Sequence, residues 1–134
     1  MILFTDGGAR GNPGPSAIGV VLKDLENATV TELGRYIGSA TNNEAEYLAL
    51  IEGLKLAISK GVLELECRLD SELVVKQMLG LYKVKNERLE KMHKEAKGLC
   101  QKFSNVTFVH IPRTKNKEAD ALVNKVLDAT TSCK

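Results

Sequence analysis

Apolar and polar positions follow two periods along the chain, and the change between them marks out the elements. Residues 2–5 form a short apolar run that reads as a strand. Residues 17–22 and 30–37 are two further β-rich runs, parted by a turn at Glu26-Asn27, which predicts a hairpin continuing antiparallel from the first strand. Between the first two runs lies the glycine- and proline-rich stretch 7–15, which reads as a loop. The period then lengthens. Over 42–59, Tyr47, Leu50, Ile51, Leu54, Ala57 and Ile58 recur at helical spacing, with Glu44, Glu52, Lys55 and Ser59 opposite and Leu48 an apolar exception. Thr41 or Asn42 is placed to cap this helix, and Gly61 follows its last turn.

Residues 65–69 alternate as a short strand that ends at Asp70. A helix over 71–79 is stopped by Gly80. Residues 87–102 predict a charged amphipathic helix with Leu89, Met92, Ala96 and Leu99 inward and His93 solvated. A strand over 106–111 is closed by Pro112, and a last helix over 117–127 has Ala121, Leu122 and Val126 among its apolar positions. Three strands in meander, followed by strands that alternate with helices, predict an α/β fold: a mixed five-stranded sheet, antiparallel then parallel, with helices on both faces. Sites in such sheets form at the carboxyl ends of the strands. The 134 residues suit one domain, expected over 1–128, with 129–134 as a frayed tail.

Composition narrows the class. Hydrophobic residues are 43% and charged residues 27%, which is globular, and the 4% of aromatics leaves an aliphatic core. The net charge of +2 selects no partner by itself. Its distribution is uneven: residues 83–102 carry seven Lys/Arg against three Glu, a local net of +4. Cys67, Cys100 and Cys133 are far apart and odd in number, which argues against a disulfide framework or a zinc site and for free thiols in the cytoplasm. The apolar start meets Asp6 too soon for a signal sequence, and no run approaches the ~18 residues of a membrane span, so a soluble intracellular protein is expected.

Candidate chemistry lies in four acids. Asp6 and Asp70 follow predicted strands, Glu46 lies in the first turns of the first long helix, and Asp120 lies near the start of the last. Each alone reads as a cap, a turn former or a solvated helix residue. Together they change the picture. If the first and fourth strands are parallel neighbours, Asp6 and Asp70 sit side by side, and such carboxylates repel unless divalent cations neutralise them. All-oxygen ligands suit Mg²⁺ or Mn²⁺. Two such ions roughly 3.5–4 Å apart can activate a water and stabilise a leaving oxygen in phosphodiester displacement.

The segments around these acids carry a resemblance. Phe4-Thr5-Asp6-Gly7-Gly8 and Gly11-Asn12-Pro13-Gly14-Pro15 resemble the opening of type 1 ribonuclease H. Thr41-Asn42-Asn43-Glu44-Ala45-Glu46 is similar to the segment that holds the family's catalytic Glu, at Glu46 and not Glu44. Leu69-Asp70-Ser71-Glu72-Leu73-Val74-Val75 matches the third acid, and the segment from Pro112 to Leu122 matches the fourth at Asp120. The resemblance covers nearly the whole chain in order. It implies the ribonuclease H fold and metal-dependent cleavage of the RNA strand of RNA–DNA hybrids, with 5′-phosphate and 3′-hydroxyl products. Two Mg²⁺ or Mn²⁺ ions would be held by Asp6, Glu46, Asp70 and Asp120.

The resemblance also points to helpers. Asn12 and Thr41 match positions near the nucleic-acid backbone, and Asn42 and Asn43 match those near the minor groove, where an amide can read a 2′-hydroxyl or a base edge. Capping and turn formation are the structural alternatives for Asn12, Thr41 and Asn42. Arg113 and His110 compete for the role of auxiliary catalytic residue: Arg113 stands in a loop where it could meet the leaving phosphate, while His110 matches in spacing a loop His of many bacterial members that aids proton transfer or product release, yet lies inside a predicted strand, where a structural role is the alternative. Many bacterial members insert a basic, Trp-bearing protrusion after the helix at 71–79; here it is expected to be missing, with Lys83 and Lys85 as substitute phosphate contacts. Tyr82 beside them is expected to pack. A non-catalytic hybrid-binding module, or a nuclease also acting on double-stranded RNA, are the competing functions. A monomer with no obligate protein partner is expected.

Overall fold

The structure, a computed structural model, describes residues 1–132. Its elements run β1 (Ile2–Ala9), β2 (Gly14–Lys23), β3 (Thr29–Ala40), α1 (Asn42–Ser59), β4 (Glu64–Leu69), α2 (Glu72–Met78), α3 (Glu87–Cys100), β5 (Asn105–His110) and α4 (Lys117–Ser132), with a single 3-10 turn at Arg113–Lys115 before the last helix. The five strands form one sheet in the order β3-β2-β1-β4-β5. β1 pairs antiparallel with β2 and parallel with β4, and β4 pairs parallel with β5, as the element order implies.

Period-2 alternation divides β1 between two layers. Leu3 and Thr5 point to the face covered by α1, where their side chains press on the space beside Gly53. The main apolar core lies there, built from Leu3, Val20, Leu22, Tyr47, Leu50, Leu54, Leu69 and Val74 and closed by α2 and by Leu89 and Ala96 of α3. Gly8 points the other way, to Val123 of α4, which forms a smaller cluster with Ala17 and Leu127.

Two expectations about extent change. β1 and β2 run deep into the glycine-rich stretch, where Asp6 pairs with Gly19, Gly8 with Ala17 and Ala9 with Ser16. Gly7 reads as a loop residue in the sequence, but like Gly19 of β2 it serves close packing. A Cβ on Gly7 would stand 2.2 Å from the Ala45 carbonyl of α1, and one on Gly19 would stand 2.1 Å from the Ala119 carbonyl of α4. Only glycine lets both helices approach the sheet at these points. The last helix continues to Ser132, past the expected end at 127.

The turn at Glu26-Asn27 is present, with Asn27 at φ 66° and the Asp24 carboxylate accepting from the Glu26 and Ala28 amides. Residues 79–86 join α2 to α3 without a helix of their own. Cys67 is buried and Cys100 half-buried, both free, while Cys133 lies outside the described residues. Among the described residues no helix is long and apolar enough to cross a membrane.

Candidate active site

Each acid reaches the carboxyl edge of the sheet by its own route. Thr5 pairs with Leu69 across β1 and β4, so Asp6 and Asp70 continue side by side where the ladder ends. Asp70 leaves the strand as Ser71 caps α2, accepting from the Val74 amide. Glu46 is placed by the start of α1. Thr41 and Glu44 close a capping box, each side chain on the other's amide. That bond holds the Glu44 carboxyl below its usual range and uses it up, which leaves Glu46, two residues on, to turn toward β1. There Glu46 Oε1 accepts from the Gly7 amide. Asp120 comes from α4, in the first turn that Gly19 admits.

Ligand oxygens of Asp6, Glu46 and Asp70 all lie within 4.8 Å of one another. The crowding has the expected electrostatic result. Burial, then the charge of Asp70, then the Asp120 carboxyl within hydrogen-bonding reach push Asp6 from 3.8 up to about 7. Burial, with Asp6 and Asp70 beside it, raises Glu46 well above the usual range. Three carboxylates that cannot all ionise comfortably in so small a space suit a hard divalent cation. The donor set is all oxygen, which fits Mg²⁺ or Mn²⁺ and not zinc. Asp120 stands outside the set of three and touches it through Asp6.

A residue outside the expected set completes the arrangement. Asn116 is 1% exposed, and its Nδ2 donates to Asp70 Oδ2 and to the Thr5 carbonyl, both at 2.9 Å. Its side chain points back from the loop before α4 into the sheet. Farther along α4, Asn124 Nδ2 donates to Asp120 Oδ2 at 3.3 Å.

The candidate helpers separate. Arg113 lines the same cleft as Asp6, Gly7, Asn42 and Asp120. His110 ends β5 exposed, outside that lining, with Glu72 of α2 as a charged neighbour. It is not packed inside the strand layer: alternation puts it on the side of Val106 and Phe108, but as the last residue of the edge strand β5 it is exposed. Asn12, Thr41, Asn42 and Asn43 line one groove of about 590 Å³, joined by Asn86 and Arg88. Asn42 is also built into the local structure. Its Oδ1 accepts from the Ala9 amide, and its own amide donates to Asn12 Oδ1, each at 2.9 Å.

Lys83 lines a second groove, of about 630 Å³, with Tyr82, His93, Lys94 and Lys97, and Lys85 is exposed beyond it. Tyr82 is exposed and lies under the Lys76 ammonium, 5.0 Å from the ring centroid, and so does not pack inward. His93 is not merely solvated. It is half-buried, with Nε2 3.1 Å from the Gln77 carbonyl and its ring edge-on to Tyr47.

Residues 4–126 match the model of the reverse transcriptase-like family. The chain is 42% identical to the RNase H1 of Halobacterium salinarum in its crystal structure, covering 96% of this chain and 97% of that one with a TM-score of 0.94. The chain belongs to the type 1 ribonuclease H family.

Two further relatives of this ribonuclease H domain are informative. LC11-RNase H1, solved in complex with an RNA/DNA hybrid, is 47% identical over 97% of this chain and 98% of that chain, with a TM-score of 0.93. The bifunctional protein Rv2228c of Mycobacterium tuberculosis is 42% identical over 96% of this chain. The chain spans 36% of the length of Rv2228c and 63% of the curated Halobacterium ribonuclease HI.

Proposed function

We propose that this ribonuclease H domain is a divalent-metal-dependent endonuclease that hydrolyses the RNA strand of RNA–DNA hybrids, leaving 5′-phosphate and 3′-hydroxyl ends. The observation that carries the reading is the convergence of Asp6, Glu46 and Asp70 within 4.8 Å, with Asp120 against Asp6. A pure hybrid binder gains nothing from clustered negative charge facing phosphates. The hybrid seen with LC11-RNase H1 supports the substrate class.

Asp6, Glu46, Asp70 and Asp120 would hold two Mg²⁺ or Mn²⁺ ions. Bound there, the ions would supply Lewis acidity: a more acidic water and a stabilised leaving oxygen. The chain's own groups supply the rest. The Gly7 amide fixes Glu46 Oε1, and Asn116 fixes Asp70 Oδ2, so two of the carboxylates cannot swing away from the cluster. Arg113 stands at the rim of the cleft, where a guanidinium can meet a non-bridging phosphate oxygen. The amide-lined groove of Asn12, Asn42 and Asn43 presents donors and acceptors suited to 2′-hydroxyls and backbone, and asks for little base readout. Lys83 and Lys85 add sequence-independent phosphate attraction. The domain acts as a monomer in the cytoplasm, where the Cys67 and Cys100 thiols stay reduced.

The test is a labelled substrate panel: RNA–DNA, RNA–RNA and DNA–DNA duplexes with Mg²⁺, Mn²⁺ or EDTA, followed by analysis of the product ends. Cleavage of the hybrid RNA strand alone, abolished in EDTA, supports the reading. Comparable cleavage of RNA–RNA would favour a broader nuclease, and tight hybrid binding without cleavage a binding module.

A further inference from the structure

Gln77 is 4% exposed on α2, between the apolar core and the segment 79–86 that carries Lys83 and Lys85. Leucine would fill the same volume with no polar group to bury, so an amide here is tolerated only because its bonds are made. Gln77 Oε1 accepts from the Tyr47 hydroxyl at 2.6 Å, and Nε2 donates to the Lys83 carbonyl at 3.2 Å. The main-chain carbonyl of Gln77 accepts from His93 in its Nε2–H form, and Lys97 Nζ donates to the next carbonyl, Met78 O, at 3.2 Å. One side chain therefore ties α1, α2 and the segment to one another, and its backbone ties α2 to α3.

The segment's other hydrogen bonds are local, from the Leu81 and Tyr82 amides to the Lys76 carbonyl of α2 and from the Arg88 and Leu89 amides of α3 to Asn86 Oδ1, and none of these reaches α1. Leu79, Leu81 and Tyr82 are exposed, and Val84 alone of its apolar residues packs against the core. The Lys76–Tyr82 contact is exposed and contributes little. Tyr47, at the far end of the link, is fully buried and directly follows Glu46 in α1. A continuous path of covalent and hydrogen bonds thus runs from Glu46 through Tyr47 and Gln77 to Lys83.

We propose that Gln77 is a positioning residue for hybrid binding: it holds the Lys83–Lys85 segment at a set reach from Glu46, so that phosphates gripped by the lysines place the scissile bond at the acids. This rests on the reading of Lys83 and Lys85 as phosphate contacts given above.

The test compares Gln77→Leu, Tyr47→Phe, the two combined, and Lys83→Ala/Lys85→Ala with and without Gln77→Leu. Steady-state cleavage of a labelled hybrid is read across a salt series, beside thermal melting. Gln77→Leu should raise KM about fivefold or more at moderate salt while kcat changes by less than about twofold. Its salt slope should also become shallower. Tyr47→Phe cuts the link to α1 but keeps the bond to Lys83 O, so it should raise KM in the same direction as Gln77→Leu and by less, while lowering the melting temperature. If Gln77→Leu alone melts without cooperativity, the combined variant decides, because it removes both partners of the Tyr47–Gln77 bond and leaves neither buried and unpaired.

Adding Gln77→Leu to the lysine-less variant should raise KM no further, since positioning acts through the lysines. An equal rise in that background would overturn the proposal, as would lowered melting with KM and salt slope unchanged. If Lys83→Ala/Lys85→Ala itself leaves KM and slope at the wild-type values, the phosphate-contact reading fails first, and the positioning proposal falls with it.

Discussion

Asn116 donates one amide proton to Asp70 Oδ2 and the other to the Thr5 carbonyl, while its Oδ1 is buried with no partner among the described residues. A fully buried amide thus joins the loop before α4 to the ends of β1 and β4, and it does so through an acid of the cluster. Removing it should cost about 1–3 kcal/mol of stability, the range for a buried hydrogen-bonded group. Asn116→Ala should also need more Mg²⁺ for half-maximal cleavage, because Asp70 would rotate freely. Urea unfolding and Mg²⁺ titration by calorimetry separate the two effects. Unchanged Mg²⁺ affinity would leave Asn116 a purely structural residue.

The raised acids make the metal-free protein sensitive to pH. The folded state keeps a proton on Asp6 up to about pH 7, whereas the unfolded chain releases it near 3.8. The folded state therefore binds more protons across that window, and stability falls as pH rises through it. Burial of Glu46 acts in the same direction. In EDTA the melting temperature should drop between pH 5 and pH 8, and Asp6→Asn should raise it at pH 8. Added Mg²⁺ should stabilise the protein more at pH 8 than at pH 5. A melting temperature in EDTA that climbs over this range would contradict the crowding described for the cluster.

Lys83→Ala with Lys85→Ala should weaken hybrid binding and lower the slope of log K against log salt by about one unit or less for each phosphate no longer gripped. Fluorescence anisotropy over a salt series with a catalytically blocked protein reads both. A full wild-type slope would return the segment to an ordinary solvated surface.

Arg113 and His110 make opposite predictions. Arg113 lines the cleft, so Arg113→Ala should lower kcat more than it raises KM, with the melting temperature nearly unchanged because the side chain is exposed. His110 lies exposed outside the cleft, so His110→Ala should keep the shape of the pH–rate profile. Loss of an ionisation from the profile of that variant would make His110 the general acid and reverse the assignment.

Much of this arrangement is legible in the residue pattern, and what is not has physical causes. The element order and the pairing of β1 with β4 follow from period and topology, which is why Asp6 and Asp70 can be placed side by side from the sequence. Glu46 is separable from Glu44 there only by resemblance; the capping box that occupies Glu44 supplies the physical reason. Gly7 reads as a loop former because composition cannot distinguish a turn glycine from one that admits a helix. Asn116 and Gln77 escape sequence reasoning because a buried amide has no periodic signature. Its role lies in partners 46 and 111 residues away for Asn116, and 30 residues away for Gln77. The solvated placing of His93 fails for the same reason, since its partners Tyr47 and Gln77 belong to other helices.

Whether the clustered acids cut the substrate, and do not merely sit beside it, is tested most directly by Asp70→Asn. The substitution keeps the side-chain volume and removes a charge from the set of three. Cleavage of a labelled hybrid in Mg²⁺ is measured beside hybrid affinity by anisotropy, for wild type and variant together. Loss of cleavage by at least about a thousandfold with affinity within about threefold is the predicted result. Near-normal cleavage by the variant in Mg²⁺ would contradict the catalytic role of the cluster.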